Sequence, residues 1–168
     1  MRILGVDPGL RVTGYGVIDC ATDFARIVEA GIIQPAPRAP LERRLGELHA
    51  GMCAVLSATR PNVMVVEELF TAYKNPTTAV LMGHARGVLC LAADACGVGV
   101  RHLVHSHVKR ALTGSGAARK EQVKRMVMLQ LALRTTPQPD DVSDALALAL
   151  AFSNIDRAER NLARAGIA

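Results

Sequence analysis

The sequence predicts an α/β fold in which a mixed β-sheet is flanked by α-helices. Three short apolar segments open the chain with brief polar links between them, the pattern of an antiparallel meander. Beyond them, short apolar runs alternate with longer stretches whose apolar residues recur every three or four positions, which is the signature of strands alternating with helices. Size agrees: 168 residues, half of them apolar and 21% charged, suffice for one buried core and leave no length for a second lobe.

Taken in order, Ile3 to Val6 is a buried strand halted by the turn formers Asp7, Pro8 and Gly9. Val12 to Ile18 reads as a second strand and Ile27 to Ile33 as a third. After a proline-rich loop from Pro35 to Pro40, Leu41, Leu45, Leu48, Met52, Val55 and Leu56 trace an amphipathic helix that Pro61 and Asn62 stop. Val63 to Val66 is apolar on both faces, as a central strand covered on two sides must be, and Glu67 and Glu68 follow at once. Thr77 to Cys96 is an alanine- and leucine-rich helix in which Gly83 and Gly87 allow close approach of another helix. Val98 to Val104 is expected to be a strand, and Glu121 to Leu133 and Asp141 to Phe152 helices. The domain is expected to span residues 1–156, with 157–168 a polar tail prone to fraying.

Charge narrows the class of partner. A net charge of +5 and a pI of about 9.4 favour polyanions. With two Tyr, three Phe and no Trp, a surface built on many aromatic stacking platforms is not expected. Cys20, Cys53, Cys90 and Cys96 form no CxxC pair and sit among apolar neighbours, so free thiols are expected rather than disulfides or a zinc knuckle. No apolar run reaches the roughly 18 residues of a membrane span, and the N-terminus lacks the features of a signal peptide; a cytoplasmic protein is expected.

The chemistry rests on carboxylates. Asp7 and Glu67 each end a strand, and if those strands are neighbours the two acids converge on one sheet edge. Asp141 and Asp144, three apart at a helix start, share a helix face. Packed together, four such acids repel and raise one another's pKa unless a cation balances them, and hard oxygen ligands select Mg²⁺ or Mn²⁺. Two ions held about 3.5–4 Å apart would suit in-line phosphodiester hydrolysis. Simpler readings stand beside this one: Asp7 as a turn residue, Asp140 and Asp141 as helix caps, Asp144 as an acid favouring the positive helix end. Strand alternation alone does not choose between Glu67 and Glu68.

Between Arg101 and Arg125 lie seven basic residues, Arg101, Lys109, Arg110, Arg119, Lys120, Lys124 and Arg125, against the single acid Glu121. Beside an acidic site, such a stretch suits a phosphate backbone, although a solvated helix face would look alike. His102, His105 and His107 lack cysteine or carboxylate company at zinc-finger spacing, so contact with phosphate or solvent is expected of them rather than zinc.

The segments GVDPGLRVTGYGVI (5–18), VEELF (66–70), GHARGV (83–88), Val108-Lys109 with Lys120, and DVSDALALA (141–149) resemble, in one order over nearly the whole chain, the RuvC family of Holliday-junction resolvases. The resemblance implies a ribonuclease H-like fold and a metal-dependent endodeoxyribonuclease that makes paired symmetric nicks in four-way junctions during recombination and repair. It implies one or two Mg²⁺ or Mn²⁺ ions held by Asp7, Glu67, Asp141 and Asp144, and it picks Glu67 over Glu68 by the spacing to Phe70. Asp140 is then an extra acid, a cap or a support to the ligands. The family's functional lysines fall on Lys109 and Lys120, and its base-contacting aromatic on Phe70. Arg110, Arg119, Lys124 and, in the loop after Glu67, Tyr73 and Lys74 extend the expected DNA surface. Two nicks require two sites, so a homodimer is implied, with the Thr77–Cys96 helix and its His84 and Arg86 as candidate interface; association with RuvA and RuvB branch-migration proteins is implied as well. Two alternatives remain at this level: a junction-binding scaffold without catalysis, and an actin-like ATPase, which shares the opening strand and turn but needs two lobes.

Overall fold

The structure, a computed structural model, describes residues 1–20, 24–68 and 76–166. Strands β1 (Arg2–Asp7), β2 (Thr13–Asp19) and β3 (Arg26–Ile33) are followed by helix α1 (Leu41–Thr59), strand β4 (Val63–Glu67), helix α2 (Pro76–Ala95) and strand β5 (Gly99–Leu103). Helices α3 (His105–Thr113), α4 (Lys120–Gln130) and α5 (Asp140–Arg164) complete the chain. The strands form one sheet in the order β3-β2-β1-β4-β5. The first three pair antiparallel, as the expected meander does, while β4 lies parallel to β1 and β5 parallel to β4.

Residue parity sorts the core into two layers. Leu4, Val6, Val17, Met64 and Val66 face α1 and α2, packing on Leu48, Met52, Leu56 and Leu89. Ile3, Ile18 and Val65 face the other way, onto Val108 and Leu112 of α3, Val127 of α4 and Leu146 and Leu150 of α5. Ile3, Leu4, Val6, Met64, Val65 and Val66 are wholly buried, each worth about 1.5–3 kcal/mol, which is why β1 and β4 occupy the middle of the sheet.

Glycines let α5 lie against the strands without side chains between. A Cβ on Gly5 would stand 2.0 Å from the Ala145 carbonyl oxygen, and one on Gly14 would stand 2.1 Å from that of Asp141. Any side chain at either place would lift the helix off the sheet.

The structure departs from the sequence reading at three places. Helix α3 was not expected; Val108 and Leu112, one turn apart, anchor it, and Gly114 ends it in the left-handed region at φ 80°. Asp140 is not a cap: Pro139 holds that position without a side-chain cap bond, and Asp140 opens the helix itself. Helix α5 continues to Arg164, well into the segment expected to fray, aided by an Arg160–Asp156 ion pair at 2.8 Å. Among the described residues no helix is long and apolar enough to cross a membrane.

Candidate active site

Register places the first two acids. Val6 pairs with Val66 in the parallel β1–β4 ladder, so Asp7 and Glu67 leave the sheet side by side at the same edge. Odd parity along β1 puts Asp7 on the face of Ile3, and Glu67 lies on the face of Val65, which is the same face and is covered by α5. The turn after Asp7 is tied down by Thr13, whose buried hydroxyl donates to the Gly9 carbonyl at 2.6 Å and accepts from the Gly9 N–H at 3.1 Å. The first turns of α5, lying on Gly14 opposite Asp7, then deliver Asp141 and Asp144.

These acids feel one another. Burial first, then the charges of Asp144, Glu67 and Asp141, push the Asp7 carboxyl up to about 7, and the opposing pull of Lys120 does not offset them. Asp7, Glu67 and Asp144 line one cavity of about 140 Å³ together with His105, Lys109 and Lys120. Asp141 does not line this cavity; its charge reaches Asp7, and its side chain borders a second hollow with Gly9, Leu10 and Thr78.

Cations on neighbouring helices steady the cluster. Lys120 donates to Asp144 at 2.8 Å and lies 3.3 Å from Asp140; Lys124 donates to Asp140 at 2.7 Å. Hydrogen bonds to Asp144 chiefly, and to Asp140, hold the Lys120 ammonium above its ordinary pKa, and those from Lys124 and Lys120 hold Asp140 below its own. Asp140 therefore supports the lysines rather than the helix end. On the other side, His105 Nδ1 donates to Glu67 Oε1 at 2.6 Å. Arg86 donates through one guanidinium nitrogen to the Glu67 carbonyl and through the other to His102 Nδ1 at 2.6 Å. Burial first and then Arg86 push the His102 pKa down, in keeping with a neutral ring that accepts.

Among the described residues no three His, Cys, Asp or Glu side chains stand ready around an ion; Lys120 and His105 hold Asp144 and Glu67 instead. The donor set nevertheless fits a hard divalent cation, since every acid offers only oxygen and Asp7 carries a charge conflict that a cation would relieve.

Of the expected DNA contacts, Lys109 and Lys120 line the cavity, and Arg110 and Arg119, next to them in sequence, are exposed. Lys124 is partly buried and engaged by Asp140. Phe70, Tyr73 and Lys74 lie outside the described residues. Two histidines assigned to phosphate or solvent have protein partners, His102 with Arg86 and His105 with Glu67. Arg86, placed by the sequence reading at a dimer interface, is turned toward β4 and β5. The roles of His105 and Arg86 were missed because both depend on elements crossing; recognising α3 from Val108 and Leu112 would have brought His105 to the strand edge.

Comparison with known proteins matches residues 3–152 to the family model "Crossover junction endodeoxyribonuclease RuvC". A protein so named from Rhodopirellula baltica is 45% identical over 148 residues, covering 88% of this chain and 83% of its own. One from Brevibacillus brevis is 45% identical over 150 residues, covering 89% and 90%. The structure of Thermus thermophilus RuvC in complex with a Holliday junction superposes with a TM-score of 0.90 at 36% identity, over 95% of this chain and 96% of that one. The yeast mitochondrial Holliday junction resolvase, at 12% identity and a TM-score of 0.73, shares the fold.

Proposed function

The chain belongs to the RuvC family of crossover junction endodeoxyribonucleases, and we propose that it resolves four-way DNA junctions by metal-assisted hydrolysis at the edge where β1, β4 and α5 meet. The observation that carries this reading is the convergence of Asp7, Glu67 and Asp144 on one cavity with Lys109 and Lys120. Acids and lysines at one small opening suit a phosphodiester: the acids take a cation, and the lysines take the phosphate oxygens without neutralising every acid.

Asp7, Glu67 and Asp144, with Asp141, would hold Mg²⁺ or Mn²⁺, as one ion or two. When bound, such ions lower the pKa of a coordinated water and stabilise the leaving oxygen of an in-line displacement. The chain's own groups do the rest. Lys109 and Lys120 hold the scissile phosphate and spread the charge that builds on its oxygens as the P–O bond breaks. Lys120 releases Asp144 as that phosphate arrives, while Asp140 keeps the ammonium at the rim. Arg110 and Arg119 bind flanking phosphates, and Phe70, three residues beyond Glu67, stacks on a base near the cut.

Paired nicks call for two copies, and α2 offers the face. Val80 and Leu91 are each 58% exposed on its outer side, and the space above Gly83 and Gly87 is open, so a second α2 can approach closely. Family membership supports work alongside RuvA and RuvB in the cytoplasm. The deciding experiment is cleavage of a synthetic four-way junction and its linear duplex counterpart with and without Mg²⁺: symmetric nicks in the junction alone, dependent on metal, are expected. Equal cutting of both substrates, or cutting in chelator, refutes the proposal.

A further inference from the structure

Glu67 is the one acid of the four that has a third side-chain bond to rotate, and its side chain is about a third exposed (34%). Asp7 is a shorter side chain, and Asp141 and Asp144 stand on a helix lying directly on the sheet. A ligand with that freedom adopts many rotamers unless something fixes it.

Two contacts do so in succession. Arg86 grips the Glu67 carbonyl and braces against His102, which immobilises the strand end. Glu67 pairs with Leu103 at the end of β5, and the Glu68 N–H donates to the Leu103 carbonyl at 2.8 Å. The chain turns into α3 at once, so the first residue of that helix, His105, stands two positions beyond Glu67's own partner. From there its Nδ1 reaches Glu67 Oε1 at 2.6 Å, and both residues line the cavity.

We propose that His105 is a positioning residue for Glu67: it occupies one carboxylate oxygen so that the other is presented to a divalent cation. The inference rests on the reading of Glu67 as a metal ligand, and it assigns His105 no contact with substrate. Partners of this kind orient a ligand and commonly govern metal affinity by about 10–100-fold.

The test uses Mn²⁺ as probe, its binding to the DNA-free protein followed by electron paramagnetic resonance of the unbound ion. His105→Ala should weaken binding about tenfold. His105→Asn, whose amide nitrogen can stand where Nδ1 stands and donate to the same oxygen, should recover most of it. In junction cleavage the Mg²⁺ concentration for half-maximal rate should rise about tenfold in His105→Ala, while the rate at saturating metal falls far less. The His105 side chain is 64% exposed, so folding should survive, as circular dichroism would verify. Unchanged or tighter Mn²⁺ binding by His105→Ala overturns the proposal, as does a His105→Asn protein as weak as His105→Ala. Glu67→Gln separates the two levels: loss of Mn²⁺ binding upholds the ligand reading whatever His105 does, and retention of it overturns both.

Discussion

Removing the charge of Asp7 should destroy cleavage and stabilise the metal-free fold. The Asp7 carboxyl is raised from its ordinary 3.8 to about 7, by burial first and by Asp144, Glu67 and Asp141 next. At about 1.36 kcal/mol for each tenfold displacement of protonation, this difference corresponds to roughly 4 kcal/mol of destabilisation once the group is ionised. Solvent at the open side of the cavity screens part of it, so about 2 kcal/mol is the working figure. Because the folded state holds this proton more tightly than the unfolded chain, the penalty is absent below about pH 4. It grows as pH rises toward 7 and levels off above. Asp7→Asn lacks the ionised form altogether. For a chain of this length 1 kcal/mol moves Tm by about 2–4 °C, so the variant should melt roughly 4–8 °C above the wild type at pH 8 in chelator. The gap should shrink by about half or more by pH 4.5. Mg²⁺ should narrow it from the other side by stabilising the wild type alone. Thermal unfolding followed by circular dichroism from pH 4.5 to 8 measures all of this. An Asp7→Asn protein that melts at or below the wild type at pH 8, or whose gain is the same at every pH, would show that the acids do not share a field.

Glu67→Gln, Asp141→Asn and Asp144→Asn should each nearly abolish single-turnover junction cleavage with binding retained, whereas Glu68→Gln and Asp140→Asn should be far milder; a dead Asp140→Asn beside an active Asp141→Asn would shift the ligand assignment by one residue. Junction affinity measured without divalent metal should fall steeply with salt if the Arg101 to Arg125 stretch supplies phosphate contacts; a flat salt response would refute that role. Phe70→Ala should impair cutting more than affinity, because one stacking contact is worth about 1–3 kcal/mol while many phosphate contacts remain, and normal cutting by the folded variant would refute the stacking role. Leu91→Asp should shift the protein from dimer to monomer in light scattering after size exclusion; a persistent dimer would move the interface off α2.

Asp7 and Glu67 were legible in the sequence because a strand end is a strong local signal: an apolar run stops and an acid follows. That β1 and β4 lie side by side was only a condition at that stage, and the Val6–Val66 pairing meets it. Helix α3 was hidden because nine residues with two buried anchors, Val108 and Leu112, carry little periodicity of their own and depend on tertiary packing. The partners of the acids were hidden for another reason. His105 meets Glu67 and Lys120 meets Asp144 across elements 38 and 24 residues apart in sequence, and no spacing rule along the chain encodes such a meeting. Asp140 looked like a cap because acids favour that position, but Pro139 already provides the extended residue that starts the helix.

The contact of α5 with Gly5 and Gly14 has a consequence for how junctions are chosen. Where two backbones touch, there is no layer of side chains to compress or re-pack, so the helix cannot slide along the sheet by small rotamer adjustments. The backbone that carries Asp141 and Asp144 is consequently seated on β1 and β2, and its place relative to Asp7 is set by that contact. On the proposed function, a helix seated this firmly would leave more of the adjustment to the nucleic acid, whose branch point deforms more readily than straight duplex.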